Sequence, residues 1–144
     1  MTLNVVKFDP EKWVAVSADV HRTVFGTEKP SSFDRISYAL GVQDGCGKPM
    51  AYVTVREHDH ESVYWQFGGA FPPAQNSITA YRAFCELINY QLSLSQRITF
   101  LVENDNENML RLAMKEGFRI VGVRYFKNRI LLEHLKEKSD AIRE

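Results

Sequence analysis

The stretch from Ser62 to Glu103 constrains the fold more than any other. It opens with SVYWQFGGAF, passes through PPAQNS, runs on as ITAYRAFCELINYQLSL and ends in RITFLVE. The first run is β-branched and aromatic, as a strand requires. The middle places Ile78, Phe84, Leu87, Ile88 and Leu92 near one helical face. The last is a short apolar run, the pattern of a buried strand. A strand, a helix and a second strand in this order cross over right-handed and leave the two strands parallel. Strands around residues 64–71 and 97–102 are therefore expected to be parallel neighbours, with a helix over 77–94 between them. They should part toward Phe71 and Val102, and the pair Gly68-Gly69 suits a bulge. Ligands of such sheets sit where neighbouring strands part, at their carboxyl ends.

The remaining chain fits around this unit. LNVVKF reads as a strand. Asp9-Pro10 is an N-cap with proline at the first helical position, and the helix carries Trp13, Val16, Val20 and Val24 before Gly26. GTEKPSSFD is a loop or a broken short helix. RISYALGVQ and PMAYVTVRE flank the hairpin turn DGCGK, and HDHE turns the chain into the next strand. DNENMLRLAMKE is a short helix stopped by Gly117. FRIVGVRYF and RILLEHL close the chain as a hairpin around Lys127-Asn128. The order β-α-loop-β-β-β-α-β-α-β-β gives an α/β domain over residues 1–144, with residues 136–144 expected to fray.

At 144 residues one core can hold the chain without staples. Eighteen basic residues balance eighteen acidic ones, so there is no electrostatic footprint for nucleic acid or an anionic membrane. Two cysteines, Cys46 and Cys85, make no disulfide framework and suit a reducing compartment. No apolar run approaches the ~20 residues of a membrane span, and Asp9 and Glu11 come too early for a signal peptide. The protein is read as cytoplasmic.

Two stretches carry candidate chemistry. In PPAQNSITA, Asn76 or Ser77 can cap the helix and leave first-turn N–H groups pointing outward, which favours an anion. On local sequence alone a plain N-cap is the simpler reading, since the glycines of a nucleotide loop are absent. In VENDNENMLRLAMKEGF, Asn104, Asn106 and Asn108 follow a strand. They can bond amides of a ligand or cap the next helix. HDHE reads as a solvated hairpin tip, without a metal. His21 and His134 stand alone. Cys85 reads as a buried thiol.

Taken together, these stretches resemble the GCN5-related N-acetyltransferase (GNAT) family. Asn106, Gly117 and Phe118 match its late region, where a catalytic Tyr stands four residues before the Gly; that position is Ala113 here. Pro72, Gln75 and Ala80 match its acyl-CoA loop, with Ile78 in place of the first Gly. The hairpin YALGVQDGCGKPMAYVTVRE is similar to the family's second and third strands. The likeness covers nearly the whole chain in element order, with the specific part between Tyr64 and Leu135. The chain is also similar to small phage-encoded members.

The resemblance implies the acyl-CoA N-acyltransferase fold, a mixed, mostly antiparallel sheet of about seven strands flanked by helices. It implies acetyl transfer from acetyl-CoA, as co-substrate, to an amine on a small molecule or peptide, with a homodimer as a compatible state. Cofactor contacts would come from Phe67, Gly68, Gly69, Gln75, Asn76, Ser77, Ile78, Thr79, Ala80 and Asn106. Backbone N–H groups near Phe67 to Gly69 would polarise the thioester carbonyl. Gln66 stands where a carboxylate would be convenient, but an amide takes no proton. Glu57 and His58, with Glu61 beside them, are the nearest base candidates by sequence. Tyr125 or Tyr81 would replace the missing acid. Ala113 and Ile78 favour an alternative: a protein of this fold that binds or builds, a phage component for example, without catalysis.

Overall fold

The computed structural model describes residues 2–75 and 77–138. Its elements are β1 (Leu3–Phe8), α1 (Pro10–Phe25), a 3-10 turn (Ser31–Asp34), β2 (Tyr38–Asp44), β3 (Pro49–Glu57), β4 (Ser62–Ala70), a second 3-10 turn (Pro72–Ala74), α2 (Ile78–Leu94), β5 (Arg97–Glu103), α3 (Glu107–Lys115), β6 (Arg119–Phe126) and β7 (Arg129–Glu137). The strands form one seven-stranded sheet in the order β1-β2-β3-β4-β5-β7-β6. Every neighbouring pair is antiparallel except β4 and β5, which are parallel, as the crossover through α2 demands. Lys136 and Glu137, expected in a fraying tail, pair with β5 instead, and residues 139–144 lie outside the described residues.

Alternation along the strands sorts the core onto two faces. Leu40, Val42, Val53, Val55, Trp65, Ile98 and Phe100 point to the face covered by α2 and α3. Ala39 and Tyr52 point to the other, where Trp13 of α1 and Phe33 of the first turn cover them. The Trp13 indole donates to the Phe33 carbonyl at 3.1 Å, which ties that turn down onto α1. The face of α1 turned to the sheet is Trp13, Ser17 and His21, while Val16 is exposed. The expected Val16 stripe thus gives way to an i, i+4, i+8 row built around the tryptophan, the largest apolar side chain the helix can bury.

The parallel contact is short. Ser62 to Trp65 pair with Arg97 to Phe100, and there the register ends. The cause lies on the other edge of β4. Thr54 is opposite Phe67 and Val55 is opposite Trp65, so Gln66 is an extra residue, a bulge. Thr54 Oγ1 accepts the Phe67 N–H at 3.0 Å and replaces a lost ladder bond. The bulge therefore falls at Gln66 and not at the glycine pair. The glycines serve close approach: a Cβ on Gly69 would meet Val24 Cγ1 at 2.7 Å, and one on Gly68 the Tyr52 carbonyl oxygen at 3.2 Å.

A buried polar chain fixes α2 beneath the sheet. Trp65 Nε1 donates to Gln91 Oε1 at 2.9 Å, and Gln91 Nε2 donates to the Tyr38 hydroxyl at 2.8 Å. Gln91 is fully buried. Gln91→Leu keeps the volume but strands a buried indole N–H, at about 1–3 kcal/mol. A melting point lower by roughly 2–12 °C follows for a chain of this size. Thermal unfolding followed by Trp fluorescence checks this; an unchanged midpoint would show that the chain contributes nothing.

Candidate active site

Where β4 and β5 part, a cleft of about 670 Å³ opens through the sheet. Trp65, Phe84, Leu87 and Phe100 line it, together with Gly68, Ala80, Asn106 and Met109. The wall is mostly apolar. Among its lining residues Glu103 alone carries a formal charge.

The backbone of β4 supplies the cleft's most regular polar groups. Phe71 N donates to Met50 O at 2.9 Å, so the pair ends facing β3. Tyr52 and Gly69 are opposite each other two residues back in the same ladder. Alternation then turns the N–H and C=O of Gly68 and Ala70 to the opposite edge, toward the cleft, beyond the last residue that β5 pairs. The Ala70 carbonyl accepts the Gln75 side-chain amide at 3.0 Å. The Phe67 N–H, engaged by Thr54, faces the other way. Gly68, and not Phe67, is the free donor of the expected set.

Helix α2 begins beside this edge. Ser77 is its N-cap, accepting the Ala80 N–H at 3.3 Å while its own hydroxyl donates to the Ala74 carbonyl. Thr79 and Ala80 are half-buried in the first turn. Ile78 is 76% exposed, one turn short of the core it was expected to join. Asn76 lies outside the described residues. On α3, Asn106 is the N-cap, accepting the Met109 N–H at 3.2 Å, and it lines the cleft as well. Capping and a cleft position thus coincide in one side chain. Ala113 is fully buried beneath α3, while Leu112 takes the cleft wall.

The expected acid and base residues are not brought to the cleft. Glu57 and His58 lie at the turn before β4, Glu57 opposite Val63. Gly68 is about 16 Å further on at the rise of a strand. The physical reason is that β3 and β4 run antiparallel, so their connecting turn sits at the end of β4 away from its splayed carboxyl end. Asp59 holds that turn by accepting the N–H groups of Glu61 and Ser62. Tyr125 is 81% exposed on the edge strand β6, with β7 between it and β5. Tyr81 donates to Glu116 Oε2 at 2.5 Å, and that bond pushes its phenol well above the usual range. Burial pushes the neighbouring Cys85 thiol up too.

Sequence reasoning missed Glu103. It ends β5 on the face opposite Ile98, Phe100 and Val102, half-exposed and 2.7 Å from Arg129. The signal was present: in RITFLVE the buried alternation leaves the glutamate on the other face, at the carboxyl end where ligands of such sheets sit.

No family model matches the sequence, and no curated protein matches it. Solved structures do. The spermidine/spermine N-acetyltransferase of Vibrio cholerae superposes with a TM-score of 0.74 at 14% identity, over 99% of this chain and 98% of that one. Arabidopsis thaliana NAA60 in complex with acetyl-CoA gives 0.69 at 14%, over 94% and 99%. A GNAT-family acetyltransferase of Bacillus cereus gives 0.73 at 16%, over 96% and 99%. The chain has the acyl-CoA N-acyltransferase fold of the GCN5-related N-acetyltransferases.

Proposed function

We propose that this protein transfers an acetyl group from acetyl-CoA to an amine. The observation that carries the reading is the splayed strand pair, with the Gly68 backbone facing an apolar cleft and the first turn of α2 beside it. A pantetheine arm carries amides that suit an unpaired strand edge, as in strand addition. The N–H groups of the first turn of α2 and the helix dipole suit a pyrophosphate.

The Gly68 N–H would donate to the thioester oxygen as charge develops there. The amine nitrogen attacks the carbonyl carbon and a C–N bond forms. The C–S bond then breaks and the electron pair leaves on the CoA sulfur. Glu103 is the cleft carboxylate able to accept the proton that the nitrogen loses. The thiolate takes a proton from solvent, and an ordinary thiol pKa near ~8.5 makes that exit feasible without a phenol. A positioned acid typically contributes about 10²–10⁴-fold, so turnover should be slow beside relatives that carry one. The buried Ala113 supports a second reading, acyl-CoA binding without turnover. The acceptor would be a small-molecule or peptide amine. No described helix is long and apolar enough to cross a membrane.

Acetyl-CoA at about 100 times its dissociation constant should stabilise the protein by ~2.7 kcal/mol, a melting shift of roughly 5–11 °C. Ser77→Asp keeps a good N-cap but sets a carboxylate where the pyrophosphate belongs. Its ligand-free melting point should stay put while most of the shift disappears. No shift in the wild type at millimolar acetyl-CoA or CoA would sink the cofactor reading.

Glu103→Gln should lower kcat by about 10²–10⁴-fold with acetyl-CoA binding intact. Stopped-flow or coupled thiol assays across an amine panel measure this. Should wild type bind acetyl-CoA yet acetylate nothing, the binding-protein reading prevails. Equal rates in both proteins would move the base elsewhere.

A further inference from the structure

Two buried polar atoms on residues of the cleft wall lack a hydrogen-bond partner among the described residues: the Tyr52 hydroxyl and Gln66 Oε1. Leaving such a group without a partner costs stability, so each calls for an explanation. The Gln66 amide orientation is fixed, because its Nε2 donates to the Ser32 carbonyl at 3.3 Å and only the nitrogen can do so. Its free atom is therefore the acceptor. The Tyr52 hydroxyl supplies a donor, and burial pushes its phenol far above the usual range, so that proton stays in place.

Both residues meet the same element. Gln66 bonds Ser32, and the Tyr52 ring lies 6.1 Å from that of Phe33, edge-on. Phe67, next to Gln66, lies 5.3 Å from Phe33. A third such atom, Asp34 Oδ1, belongs to the same turn, but its carboxylate is already held by Lys29. Thus the wall of the cleft under the Ser31–Asp34 turn holds a neutral donor and a neutral acceptor, both shut away from solvent, while the wall under α2 is apolar.

We infer that this face is an acceptor subsite for a secondary amide: the substrate is an amine that carries an amide a few bonds away, as the N-terminus of a peptide does. The inference rests on the acetyl-transfer reading. The substrate carbonyl accepts from Tyr52, and the substrate N–H donates to Gln66 Oε1. The long Gln66–Ser32 bond and the turn above it yield as the amide enters. A polyamine fits poorly. It brings only cationic donors, and a single carboxylate, Glu103, stands among the cleft's lining residues to meet them.

The test compares alanyl-glycyl-glycine amide with spermidine as acceptors for acetyl-CoA, in wild type, Tyr52→Phe and Gln66→Leu. The peptide should exceed spermidine at least about tenfold in kcat/KM. Each variant should raise the peptide KM about 3–10-fold, the size of one neutral hydrogen bond, with the acetyl-CoA KM unchanged. Tyr52→Phe should melt at or above the wild-type temperature, since it removes an unpaired buried group. An ester analogue without the first peptide N–H should bind wild type more weakly and be indifferent to Gln66→Leu. Spermidine as the better acceptor, or variants that leave the peptide KM alone or weaken acetyl-CoA equally, would overturn the subsite. Calorimetry of peptide binding in the absence of CoA separates the two readings. Peptide binding that depends on Tyr52 and Gln66 without any acetyl-CoA shift removes acetyl transfer and keeps the subsite. An acetyl-CoA shift without peptide binding does the reverse.

Discussion

The rest of the molecule depends on one interrupted ladder. Parallel pairing of β4 with β5 holds for only a few residues, to Trp65 and Phe100. Beyond that point a sheet would ordinarily keep pairing, since an unpaired backbone group shut away from water costs about as much as a lost hydrogen bond. Here the bulge at Gln66 bends β4 off its neighbour. The cost is limited because the Thr54 hydroxyl takes the Phe67 N–H and because the freed groups face an open cleft. The interruption thus converts a stretch of sheet into a wall of ligand-ready amides. The helix that enforces the parallel crossover begins beside that wall, so two backbone donor sets meet at one place.

The packing that allows this is tight on one face. Val24 of α1 presses where a Gly69 side chain would stand, and Trp13, Tyr52 and Phe33 pack into one aromatic cluster behind it. On the other face the Trp65–Gln91–Tyr38 chain prevents α2 from sliding. Both devices keep β4 fixed while its far edge is unpaired. A cleft between two strands persists only when each strand is held by something other than its partner.

Much of this was legible in the sequence. Crossover handedness and the apolar runs around SITAYRAF were enough for a parallel pair that parts at its carboxyl ends, and Asp9-Pro10, Gly26 and Lys127-Asn128 marked their helix ends and turn correctly. The misses have physical causes. Gly68-Gly69 looked like a bulge because glycine tolerates one, but the bulge went where a threonine could replace the missing ladder partner. Val16 looked like core by spacing, but a tryptophan one turn away set the helix rotation. Glu57 and His58 looked close to the site because they are near β4 in sequence; antiparallel geometry puts them at the wrong end. Tyr52 had no sequence signal, and Gln66 stood at the site only as an amide in a carboxylate's place; that either atom lacks a partner is a property of the packed chain.

The departures from the family pattern fall on the helix side of the cleft, and this matters for what the fold can still do. Ile78, where the loop would have glycine, turns its side chain to solvent, so a β-branched residue there does not by itself block the backbone edge. Ala113 is different. It is sealed into the core with Phe100 and Phe118, and a phenol in its place would have to displace packed apolar neighbours, an overpacking cost of typically 1–3 kcal/mol. The position is committed to stability. On the proposed acetyl transfer, the acid for the departing sulfur would be solvent or a group brought by the ligands, and the selective contacts would come from the opposite wall, where the polar atoms without partners are.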